Sequence, residues 1–156
     1  MKQALNDLLL RLENTVNGEP WFGRSALSLL KEVNPEGVFM KTGNGGHSLA
    51  DLLWHMITWA QFTLDRLEKK QEKDMAAFES LDWRTIDPAI HSWKNGIKEF
   101  TLIYGKISDL LKKKNDAFLE EKVDYRDYNV QFLLNGLIEH TIYHLGQIAY
   151  AQKQLN

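Results

Sequence analysis

Apolar residues recur at helical spacing in four long stretches of the chain, and polar breaks separate them. Between residues 2 and 16, Leu5, Leu8, Leu9, Leu12 and Val16 fall on one stripe, the three-and-four spacing of an amphipathic helix. Asn17, Gly18 and Pro20 end it. A short helix is expected from Ser25 to Glu32, with Leu27, Leu30 and Val33 inward. Asn34-Pro35-Glu36-Gly37 reads as a turn, and Gly43-Asn44-Gly45-Gly46 is too glycine-rich for helix. Ser48 opens a second long helix, where Asp51 makes a capping-box-like pair with it. Leu49, Leu52, Leu53, Met56, Trp59, Ala60, Thr63, Leu64 and Leu67 carry its stripe, and His55 falls within that arc. The charged run from Glu68 to Asp74 reads as its solvated end. Residues 75–86 read as a connection, longer than bundle helices usually need, and a loop of that size often shapes a site. The third helix is expected with Asp87 as cap and Pro88 in first position. Its stripe is Ile90, Trp93, Ile97, Phe100, Thr101, Tyr104, Ile107 and Leu111, and Lys112-Lys113-Lys114 suits its C-terminal end. Residues 115–126 return the chain to a fourth helix, from Tyr128 or Asn129 to Gln154. That stripe contains Leu133, Leu137, His140, Thr141, His144, Leu145, Ile148 and Ala151.

Four amphipathic helices without a strand pattern predict an all-α fold, a four-helix bundle with a short extra helix after the first. The 156 residues are one domain's worth of chain, so residues 1–156 are read as a single domain with a real core. Composition changes this picture little: 44% hydrophobic and 26% charged is ordinary for a soluble globular protein. A formal charge of -2 leaves no basic footprint, which argues against a nucleic-acid partner. No apolar run approaches the ~20 residues of a membrane span, and the charged N-terminus does not read as a signal peptide. The absence of cysteine excludes disulfides, thiolate metal ligands and a protein thiol nucleophile, and it fits a cytoplasmic location.

The chemistry concentrates at His140 and His144. They lie four residues apart in an apolar run, one above the other on a helix face. Buried imidazoles need partners, and one metal ion satisfies both. His55, on another apolar stripe, is the third candidate ligand. Three imidazoles suit a divalent transition metal, Zn or Ni first and Fe or Mn as alternatives, and leave a coordination position open. The competing reading is three core histidines satisfied by hydrogen bonds. Two other motifs fail. Thr141 follows His140 where a zincin has Glu, and Leu137 and Thr141 stand where a di-iron Glu-x-x-His pair would need other residues. Gly136, one turn before His140, is explained equally by close helix packing and by room for a ligand. Gln147 and Tyr143 are the candidates for orienting ligands, Gln147 by bonding a water or substrate and Tyr143 by lining a pocket with Trp59. The bland reading makes Gln147 an exposed helix residue and the aromatics core. His47 in the glycine loop and His91 in the first turn of the third helix read as surface residues.

Three stretches resemble the DinB-like (YfiT-like) superfamily of bacterial metal-binding helical proteins. They are EPWFGRSALSLL at 19–30, HSLADLLWHMITW at 47–59, and the His-x3-His of 136–150 followed by Gly146-Gln147-Ile148. The resemblance implies a mononuclear site of His55, His140 and His144 with open positions, and commonly a homodimer. Characterised relatives include thiol-dependent metalloenzymes, among them bacillithiol S-transferases and a mycothiol-dependent maleylpyruvate isomerase, while many other members have no assigned activity. The expected function is therefore a metal-dependent S-transferase that uses an external low-molecular-weight thiol and a small-molecule electrophile. The alternatives are a metal-dependent hydrolase, for which Asp51 and Glu139 are the nearest carboxylates in sequence, and a non-enzymatic metal-binding or stress-response protein.

Overall fold

The structure is a computed structural model, and it describes residues 2–43, 45–70 and 74–155. Among these residues it is all-helical. The elements are α1 (Gln3–Asn17), α2 (Ala26–Glu32), α3 (Leu49–Leu67), α4 (Met75–Leu81), α5 (Trp93–Lys112), α6 (Ala117–Glu120) and α7 (Val130–Leu155), with a 3-10 turn at Pro35–Gly37. Isolated bridges Lys41–Ser48 and Lys122–Asn129 close the loops before α3 and α7. Gly43 and Gly45 in the first of these loops have positive φ, which the missing Cβ permits. Asn44 and 71–73 lie outside the described residues, so the expectations for the glycine loop and the charged run are met with structure only in part.

Among the long helices, α3 lies against α5 and α7, and α1 against the same two. The short α2 packs on α1, α5 and α7, and the Trp93 indole N–H donates to the Leu30 carbonyl at 3.0 Å to fix it. Helix α3 is the centre of the core. Of its residues only Asp51, Trp59 and Gln61 escape full burial, the pattern of a helix surrounded by protein. Leu53, Met56 and Ala60 are completely enclosed, and each large side chain of this kind contributes about 1.5–3 kcal/mol of transfer free energy. The Ser48 capping box forms as expected, with both reciprocal bonds to Asp51 present. No described helix is long and apolar enough to cross a membrane.

Several expectations are corrected. The third long helix begins at Trp93, capped by Ser92, whose hydroxyl accepts from Asn95 N–H. Asp87 instead accepts from Ala89 N–H and closes a turn over Pro88. His91 belongs to that turn rather than to the helix, and Ile90 is exposed rather than inward. On α5, Thr101 faces out, and Ile103 and Ser108 join the buried set. The stretch 75–86 is not only a connection, because it contains α4, capped by Asp74. The return segment 115–126 likewise contains α6. The fourth helix starts within two residues of expectation, with Asn129 accepting from Phe132 N–H.

Candidate metal centre

His55 sits midway along α3, while His140 and His144 rise from successive turns of α7. The packing of α3 on α7 brings the three rings together. His55 Nε2 lies 2.9 Å from His140 Nε2 and 3.0 Å from His144 Nε2. Burial holds all three below the usual histidine pKa, with His140 pushed down to about 4 by burial and by its two neighbours. They therefore stand as neutral imidazoles at physiological pH, the form that ligates metal.

The outer ring nitrogens decide what the inner ones can do. His55 Nδ1 donates to Asp82 Oδ1 at 2.7 Å, and His144 Nδ1 donates to Gln147 Oε1 at 2.5 Å. A neutral imidazole has one N–H. Both rings therefore present lone pairs at Nε2, and the 3.0 Å contact between those atoms is not a hydrogen bond. Facing lone pairs in a buried site repel unless a cation lies between them. Two nitrogens each ≈ 2.05 Å from a tetrahedral ion are about 3.3 Å apart, a few tenths of an ångström from the observed separations. The donor set thus fits one divalent metal ion, and nitrogen donors fit Zn or Ni well. The reading of three core histidines satisfied by hydrogen bonds loses ground here. His140 Nδ1 is also buried without a partner.

The carboxylate of this site is Asp82, which sequence reasoning missed. Asp51 is committed to the α3 cap, and Glu139 is exposed. Asp82 follows α4, and its Oδ1 also accepts from the Trp59 indole N–H at 2.7 Å. The same segment is tied to α3 by Thr58, whose hydroxyl bonds the Leu81 carbonyl and accepts from Arg84. Trp83 stacks on His55 with ring centroids 3.9 Å apart, and His47 stacks on the other face of Trp83 at 3.6 Å. His47 is thus exposed, as expected, yet belongs to the wall of the site. The available signal was the connection's length, with an Asp-Trp pair within it.

Gln147 is exposed but holds His144 in register, so it orients a ring rather than contacting an open position. Tyr143 is 65% exposed and meets His144 edge-on. His91 is not brought to the cluster; its carbonyl accepts from Trp54. Gly136 is settled against close packing, because a Cβ there would meet nothing within 4 Å.

The family model of the DinB superfamily matches residues 22–148, a span that includes the three histidines and Asp82. No curated protein gives a significant match to the chain.

Proposed function

The chain belongs to the DinB superfamily, and from that premise we propose a mononuclear metal-dependent enzyme that transfers an external low-molecular-weight thiol to a small-molecule electrophile. His55, His140 and His144 would hold the ion as neutral imidazoles, with Asp82 and Gln147 fixing the first and third rings. Such second partners keep a ligand's tautomer and orientation. A bound divalent ion would supply the Lewis acidity that lowers the pKa of a thiol beside these rings. The transfer forms one S–C bond and breaks one bond from that carbon to its leaving group. The thiol releases its proton to solvent, the sulfur electron pair attacks carbon, and the leaving group departs with its bonding pair.

The observation that carries this reading is the convergence of three Nε2 atoms, two of them, on His55 and His144, belonging to rings whose outer nitrogen is already engaged. The chain's lack of cysteine supports an external thiol. Hydrolysis is less well supported, since the one carboxylate at the site, Asp82, has its Oδ1 engaged by His55 and Trp59. A purely metal-storing role is disfavoured by the cavity beside His140, which Trp59 lines without filling and Tyr143 does not enter. The proposal includes a homodimer in the cytoplasm, for which sedimentation and cell fractionation are the checks.

Metal analysis of the wild type beside His55→Ala and His144→Ala tests the ligand set; equal metal in all three would overturn it. Cobalt-substituted protein tests the chemistry. A visible spectrum that shifts on adding a low-molecular-weight thiol is expected, and a spectrum indifferent to thiols would remove the S-transferase assignment.

A further inference from the structure

An open-sided cavity of about 310 Å³ lies between α3, the start of α4 and α7, lined by Trp59, Phe62, Leu133, Gly136, Leu137 and His140 among others. Its wall is nearly all apolar. The Trp59 N–H is committed to Asp82 and the Thr63 hydroxyl to the Trp59 carbonyl, so neither offers a polar contact. His140 is the one member of the histidine cluster in the lining, and its Nδ1 is the cluster's one buried ring nitrogen without a partner. Apolar volume thus meets the cluster at the His140 ring, although its Nδ1 is itself enclosed. An apolar cavity of about 150 Å³ admits benzene, so this one has room for roughly a two-ring compound or a medium-length alkyl chain.

Gly136 sits in the wall of that cavity. Its φ is not in the positive region, and no neighbour would contact an added Cβ. Neither backbone nor packing demands glycine, although glycine in a helix interior costs about 1 kcal/mol against alanine. A larger side chain there would project into the cavity. The cavity volume of about 310 Å³ lies in the range of small-molecule pockets, which favours a small molecule as occupant.

We propose that this cavity binds the uncharged, apolar body of the substrate, with its polar reactive end at His140, and that Gly136 sets the size accepted. The placement of the reactive end rests on the metal-enzyme reading; the binding of the apolar body does not.

The test titrates 2-naphthalenemethanol and benzyl alcohol into zinc-treated wild type, Gly136→Ala, Gly136→Leu and His55→Ala, followed by tryptophan fluorescence and NMR. Wild type should bind the two-ring probe saturably. Gly136→Leu should weaken it at least tenfold and benzyl alcohol less, while keeping wild-type zinc content. Gly136→Ala, a substitution that favours helix, should fall between them. His55 is not in the lining, so His55→Ala should lose zinc and keep the probe. Retained zinc in that variant would sink the metal assignment and leave the cavity standing. Non-saturable binding by wild type, or equal affinity in Gly136→Leu, would overturn the cavity assignment. So would a wild-type dimer that excludes the probe and dissociates on Gly136→Leu, since the groove would then be a subunit contact.

Discussion

Replacing Asp82 separates the metal ligands from the groups that hold them. Its Oδ1 accepts two hydrogen bonds, from His55 Nδ1 and Trp59 Nε1, each 2.7 Å long. Asp82→Ala removes both. His55 keeps only the Asp82 carbonyl, 3.4 Å away, too long to fix the ring. Loss of such a partner typically lowers metal affinity 10–100-fold, or about 1.4–2.7 kcal/mol. The carboxylate also raises the His55 pKa against the dominant effect of burial. Without it the imidazole is less basic, which acts in the same direction. The metal-free protein should lose less, on the order of 1–2 kcal/mol, because the Asp82 side chain is 31% exposed and water reaches the vacated donors. Asp82→Asn retains an oxygen acceptor and drops only the charge, so its affinity should lie between the other two. The assay is zinc titration against a chromophoric chelator, with urea denaturation of the metal-free proteins alongside. Wild-type affinity in Asp82→Ala would refute the reasoning. Equal losses in Ala and Asn variants would show that charge, not ring orientation, is what Asp82 supplies.

Acid should destabilise the metal-free protein. The folded-state pKa of His140, about 4, lies below its ordinary 6.5, so the unfolded chain binds more protons between those values. Stability is then complete above pH 6.5 and falls toward pH 4, by about 2 kcal/mol between pH 7.5 and pH 5; a urea midpoint that rises over this interval would contradict it. The buried Tyr104–Thr141 pair should respond asymmetrically. Thr141 donates to the Leu137 carbonyl, so the Tyr104 hydroxyl is the donor to Thr141. Tyr104→Phe leaves Thr141 satisfied and should cost about 1 kcal/mol, whereas Thr141→Val strands a buried phenol and should cost about 2–3 kcal/mol; equal or reversed losses on chemical denaturation would count against this. Gly96→Ala sets helix propensity against packing, because the new Cβ would lie 2.6 Å from Leu53 Cδ2 in a fully enclosed position. Overpacking of about 1–3 kcal/mol should outweigh the ~1 kcal/mol gained from alanine, so a more stable variant would show that α3 and α5 can yield.

What could be seen in the sequence was whatever repeats locally. The His140–His144 pair is legible because four residues make nearly one helical turn, and His55 because it interrupts an apolar arc that is otherwise continuous. Asp82 and Trp83 were illegible because their roles depend on where α4 docks, and nothing within the segment itself specifies α3 as its partner. The start of α5 shows a related limit. Asp87-Pro88 and Ser92 are both plausible openings, and long-range bonds favour the second: Trp93 to the Leu30 carbonyl and Trp54 to the His91 carbonyl. Gly136 was ambiguous because a glycine gives no sign of whether a neighbour or empty space lies beside it. The expected core of α3 is buried except at the half-buried Trp59, because burial on nearly every side tolerates errors of phase.

His55 and His140 are 85 residues apart in the chain, with α4, α5 and α6 threaded between them. The cluster therefore has no local precursor. A chain still being synthesised has one imidazole of the set until residue 140 emerges, and the remaining two arrive on the last helix. Folding must bring α7 onto α3 before the three nitrogens meet, so the site forms only after an 85-residue loop has closed. Metal capture then reports that closure, and a cobalt spectrum followed through refolding would time the docking of α7 on α3.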